Sequence, residues 1–149
     1  MVYQSLTAGA EGILYYSMSS SEPYLMPTGR KNWFLFDDPV TTKTIKELNS
    51  EIVDWSSIIL DGKRLVPLAR VGEAIYTLIQ YKENQYLFIT NPSTESQTGN
   101  IKIPHQAKNP VQRTVLNQGA SVQSTSDGVL ITLESAGTAV IVIGSLDTF

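Results

Sequence analysis

Asp37 and Asp38 are adjacent carboxylates close to Trp33, the arrangement in this chain that most invites an acid–base reading. Acid–base work needs two carboxyl groups that converge on one reacting bond. Side chains of sequence neighbours diverge instead, and Asp38 stands directly before Pro39. An Asp there caps a helix, whose first turn tolerates the missing proline N–H. Glu11 reads as a surface turn residue and Glu22 as a solvated loop carboxylate. His105, the single histidine, follows Pro104 in a loop, without cysteines or metal-ligand spacing around it. Gly9, Gly12 and Gly29 form no phosphate loop, because no Gly-Lys-Ser/Thr follows a strand. Neither a catalytic residue nor a metal or cofactor site is expected within this chain.

Composition narrows the partners. The 149 residues are 42% hydrophobic and 17% charged, with a formal net charge of −3. No cluster of Lys and Arg exists to track phosphates or anionic lipid, so neither nucleic acid nor a membrane surface is an expected partner. Cysteine is absent, which removes disulfides and thiolate chemistry. No basic-then-apolar leader is legible, and no apolar run approaches the roughly 20 residues of a membrane span. A soluble chain is expected, in a compartment that the sequence does not specify.

The elements that would position any site change character near Leu60-Asp61-Gly62. Val2–Ala8 reads as the end of a helix stopped by Gly9. Gly12–Ser17 (GILYYS) is a short apolar run without alternation, the pattern of a strand buried on both faces. Ser19–Trp33 is a loop rich in Ser, Pro and Gly. A helix then starts near Asp38–Pro39, carries Ile45, Leu48, Ile52, Trp55 and Ile59 on one stripe, and ends at Asp61–Gly62. Lys43 and Glu47 are placed to pair across one turn of it. Beyond Lys63 the pattern is short strands: Arg64–Val71, Ala74–Tyr81, Gln85–Asn91, Gly99–Ile103, Gln112–Asn117, Ser121–Ser124, Val129–Glu134 and Thr138–Ile143. Lys82-Glu83-Asn84 and Asp127-Gly128 are hairpin turn signals. The fold class expected is mainly β: an antiparallel sandwich of two sheets, preceded by a short βα segment. Thr138–Ile143, the most apolar strand, is expected to lie centrally.

The order of these pieces carries a resemblance. Tyr3-Gln4-Ser5-Leu6-Thr7-Ala8-Gly9-Ala10-Glu11-Gly12-Ile13-Leu14-Tyr15-Tyr16-Ser17 resembles a barrel's penultimate helix running into its final strand. Ile45-Lys46-Glu47-Leu48-Asn49-Ser50-Glu51-Ile52 resembles the final barrel helix, with Ile58-Ile59-Leu60-Asp61-Gly62 as its exit. Val115-Leu116-Asn117-Gln118-Gly119, Asp127-Gly128-Val129-Leu130-Ile131-Thr132-Leu133 and Gly137-Thr138-Ala139-Val140-Ile141-Val142-Ile143 resemble the close of the sandwich that follows. Together they are similar to the C-terminal part of the clan A, β-galactosidase-like glycoside hydrolases. The resemblance implies a barrel-end segment at residues 1–60 and a C-terminal β-sandwich domain at residues 61–149. It also implies that both catalytic glutamates of the family lie before this sequence begins.

On that basis the chain is expected to be a non-catalytic accessory portion of a retaining glycoside hydrolase, with the barrel of a parent or partner glycosidase as its partner. Tyr16, Ser17, Tyr24 and Trp33 end or follow the last barrel strand. They would face substrate if a whole barrel were present, or else pack their own loop. Trp55 belongs to the helix stripe. Two alternatives stand beside this reading. One is a carbohydrate-binding module using Tyr81 and Tyr86. The other is a stand-alone sandwich that forms homo-oligomers through Gly12–Ser17, whose edges are unpaired without a barrel.

Overall fold

A computed structural model describes residues 2–14, 39–104 and 111–144. Among the described residues two helices come first: α1 (Val2–Thr7) and α2 (Pro39–Asp61). Six strands follow: β1 (Lys63–Val71), β2 (Ala74–Tyr81), β3 (Asn84–Thr90), β4 (Gln97–Lys102), β5 (Val111–Ser124) and β6 (Gly128–Gly144). The chain divides into two compact units, Met1–Gly12 with Ser57–Phe149, and Ile13–Ser56.

Helix α1 stops where expected. Gly9 has φ +109°, a conformation that costs glycine little, and the Ala8, Gly9 and Ala10 amides donate back to the Gln4, Leu6 and Ser5 carbonyls. Gly12–Leu14 is irregular chain, and Leu14 is 91% exposed. The strand expected over Gly12–Ser17 is therefore not formed across its described start, since no neighbouring strand among the described residues supplies a ladder. Tyr15, Tyr16 and Ser17 lie outside the described residues.

Helix α2 opens on Pro39 and ends beside Gly62, over the range that the apolar spacing predicts. Ile45 and Ile59 of the stripe are buried, while Leu48, Ile52 and Trp55 are half-buried. Lys43 and Glu47 approach to 3.7 Å with both side chains in solvent, an arrangement of little energetic weight.

All six strands join one antiparallel sheet, in the order β1-β2-β3-β6-β4 with β5 on the far side of β6. Strand β6 is the centre. Its second half pairs with β3, from Thr90↔Thr138 to Gln85↔Ile143, and its first half with β4, from Gln97↔Leu133 to Lys102↔Gly128. Strand β5 runs along its other side over the whole length, from Val111↔Gly144 to Ser124↔Val129. The apolar TAVIVI segment thus lies centrally, as expected.

The sandwich is this one sheet curled over. Ala74, Leu78, Leu87, Ile89, Ala139, Ile141 and Ile143 from one half meet Ile101, Ile103, Val129, Ile131 and Leu133 from the other in a single core. Opposite borders also meet. Gly99 lies against the Val71 side chain, and Gln97 Oε1 accepts a hydrogen bond from the Glu73 amide at 3.2 Å.

The curl corrects four of the expected strands. Gln112–Asn117 and Ser121–Ser124 are one strand, β5, and Val129–Glu134 and Thr138–Ile143 are one strand, β6. The turn-like residues between them bend the ladder without ending it. Gly119 has φ +69°, Ala136 has φ +56°, and the β5–β6 register shifts between Gln118 and Ala120. Ala136 is exposed and holds a left-handed backbone that favours glycine. Ala136→Gly is therefore expected to stabilise the chain by about 0.5–1 kcal/mol, read as a raised urea midpoint at constant slope.

Candidate functional site

The most developed surface among the described residues is the face of β2, β3 and β6 turned away from the sandwich core. Directly opposed residues in neighbouring strands share a face. Register therefore sets Thr77, Phe88 and Val140 in one row and Ile79, Tyr86 and Val142 in the next. Leu78, Leu87 and Ile141 point to the core between them. Yet the outward rows are no more exposed: Thr77 and Val140 are at 0%, Ile79 at 1%, Phe88 at 2% and Val142 at 5%. Strand β3 is consequently buried on both faces, which antiparallel sheets show only where a further layer covers them.

Helix α1 is part of that layer. It lies against β2 and β3, with Tyr3, Leu6 and Thr7 buried. The last turn of α2 is also close, because Gly62 sits against both the Ile58 carbonyl and the Ile79 side chain. A Cβ at position 62 would overlap both, so glycine is what lets the helix exit pass this near the sheet. The Gly62 amide donates to Ile58 O at 3.1 Å, which closes the helix.

The fully buried polar residue in these rows is satisfied. Thr77 Oγ1 donates to Val66 O at 2.7 Å and accepts from Arg64 Nη1 at 3.3 Å. Polar groups placed this deep without partners would cost stability. The surface is built to bury apolar side chains, and no ionisable residue stands in its two rows except the half-buried Tyr86.

Carboxylates lie elsewhere. Glu11, Glu47, Asp54, Asp61, Glu73, Glu83, Glu95, Asp127 and Glu134 are exposed, and Glu51 is half-buried. Among the described residues no three His, Cys, Asp or Glu side chains come together as a metal site, and no helix is long and apolar enough to cross a membrane. Tyr16, Ser17, Tyr24 and Trp33, with Glu22, Asp37, Asp38 and His105, lie outside the described residues.

The two tyrosines considered for sugar stacking are half-buried and share the outward face of the sheet. The Lys82 ammonium stands 5.2 Å from the centroid of the Tyr81 ring. Cation and sugar would compete for the same π-face there.

No protein family and no curated protein matches this sequence. Solved structures do match its fold. An α-amylase from H. orenii superposes over 88% of this chain and 27% of its own, with a TM-score of 0.54 at 11% identity. The fold recurs within a glycoside hydrolase. Bacillus licheniformis trehalose-6-phosphate hydrolase is also similar, over 74% of this chain and 20% of its own, with a TM-score of 0.49 at 15% identity. The chain thus spans about a fifth to a quarter of the enzymes it resembles. The mainly β fold that the sequence resemblance implied is thus shared with part of that α-amylase.

The sequence reading missed the double burial of β3. Its signal was present in Leu87-Phe88-Ile89, an unbroken apolar run where a strand with one wet face would alternate.

Proposed function

We propose that this chain is the C-terminal accessory portion of a glycoside hydrolase, a structural module whose catalytic carboxylates lie in other residues of the parent or in a partner chain. The observation that carries the proposal is the sheet face of Phe88, Ile79, Val140 and Val142. It is apolar, lies beneath α1, and meets the last turn of α2 at Gly62. Such a face fixes a sandwich to a helical layer, which is mechanical work and needs no acid or base. Likeness to the α-amylase fold over 88% of the chain supports the same reading. In this proposal residues 1–60 are the end of a barrel and residues 61–149 the sandwich. Tyr16, Ser17, Tyr24 and Trp33 are the residues that this proposal would have face substrate in the whole enzyme.

The carbohydrate-binding alternative has less support, because Lys82 already occupies the neighbourhood of the Tyr81 ring and Tyr86 is half-buried.

Two measurements test the accessory reading together. The native polypeptide purified from its source is expected to have an intact mass well above 16.4 kDa and to hydrolyse glycosides. The 149-residue chain alone is expected to release no product from a panel of aryl glycosides. Turnover by the 149-residue chain, lost on replacing one of its own carboxylates, would overturn the proposal.

A further inference from the structure

The sheet is assembled around the last of its described strands. Strands β1, β2 and β3 form a meander whose partners are close in sequence, from Lys63↔Gln80 to Ile75↔Thr90. The other ladders all run through β6. Among the described residues it is the strand partner of β4 over its first half and of β5 over its whole length. It also pairs with the open edge of β3, where 48 residues separate Thr90 from Thr138. The core follows the ladders. Among the described residues β6 supplies half of it: Val129, Ile131, Leu133, Ala139, Ile141 and Ile143.

Without β6 the other strands have little to fold on. Among the described residues, β4 and β5 would have no ladder at all. The meander could keep its own hydrogen bonds, but Ala74, Leu78, Leu87 and Ile89 would lose half of the core they pack in. Leu87-Phe88-Ile89, apolar on both faces, would then lie on an unpaired edge. A small sheet persists only when its apolar face is covered. Bringing β6 back to β3 also costs loop-closure entropy before any contact offsets it.

We propose that β6 is the closing strand of this fold. The sandwich forms in one step when β6 pairs, and during synthesis no earlier strand is stably folded until residues 128–144 are free to do so. Synthesis delivers β6 after the other five strands, so folding from the N-terminus onward does not apply within this unit. The inference rests on ladder order and stands independently of the accessory role.

Two measurements test it. In refolding of the 149-residue chain, pulse-labelled amides of Leu78, Leu87, Ile131 and Ile141 are expected to gain protection in a single phase. The second uses ribosome-bound chains ending at Ser124, Ala136 or Phe149, each followed by the same unstructured linker. The shortest lacks β6, and the next holds the residues that pair with β4 but not those that pair with β3. Both are expected to be cut by a nonspecific protease at least about tenfold faster than the chain ending at Phe149. Protection of Leu78 and Leu87 in an earlier refolding phase overturns the proposal. So does a chain ending at Ser124 or Ala136 that resists the protease as the longest one does. A chain ending at Phe149 that is cut as fast as the shorter ones also overturns it, because folding would then wait for something other than β6.

Discussion

Leu87→Ala and Phe88→Ala are expected to destabilise the protein to a similar, large extent, about 3–5 kcal/mol each in urea denaturation. The two residues are neighbours on β3 and point to opposite faces of the sheet, Leu87 into the sandwich core and Phe88 onto the face of β3 that α1 lies against. Leu87 is at 0% exposure and Phe88 at 2%. An ordinary sandwich strand has one wet face, and truncating a residue there costs within about 0.5 kcal/mol. Equal losses at adjacent positions would mean that the strand is a middle layer. Phe88→Ala should in addition speed amide exchange at Ala8, Gly9 and Ala10, whose hydrogen bonds close α1, while Leu87→Ala leaves those amides to follow global stability. A Phe88→Ala cost below about 1 kcal/mol would remove the main physical support for a sandwich anchored to a helical layer.

That layered arrangement explains which parts of the fold were legible in the residues. Helix α2 was, because one turn-by-turn stripe and a proline start are local signals that need no knowledge of the partner surface. The hairpins of β1–β2–β3 were, because Gly72 and the Lys82-Glu83 pair turn the chain between residues in register, Val71↔Ala74 and Tyr81↔Asn84. The bends in β5 and β6 were not. Gly119, Ala136 and Gly137 carry the composition of a turn, and whether such residues end a strand or merely kink it depends on a ladder formed across the sequence. The outer face was illegible for a related reason. Whether the outer face of β3 meets solvent or a helix depends on α1, some eighty residues away in the chain. The candidate sugar-facing residues rest on the resemblance alone, since Tyr16, Ser17, Tyr24 and Trp33 fall outside the described residues.

The kink in β6 leads to the second large effect, at Asn91. This residue is at 0% exposure directly after β3, and every polar atom of its side chain is used. Its Nδ2 donates to Glu95 O at 2.7 Å and to Glu134 O at 2.8 Å, while its Oδ1 accepts from the Ser93 amide at 3.0 Å. Its own amide donates to Gly137 O at 2.8 Å, and the Ala136 amide donates to Ser93 O at 3.2 Å. One asparagine thus ties the end of β3 to both sides of the bend, Glu134 before it and Gly137 after it. Without those ties the halves of β6 have less to hold the angle that brings Ile131 and Leu133 over Leu87 and Ile141. Asn91→Leu keeps the volume but strands two carbonyls and an amide, and is expected to cost about 3–5 kcal/mol. At roughly 2–4 °C per kcal/mol for a chain of this size, the thermal midpoint should fall by about 10 °C. Asn91→Asp should be at least as damaging, because it sets a carboxylate oxygen against the Glu95 and Glu134 carbonyls where Nδ2 now donates. A loss below about 1 kcal/mol for Asn91→Leu would mean that the backbone bonds at Gly137 and Ser93 hold the corner alone.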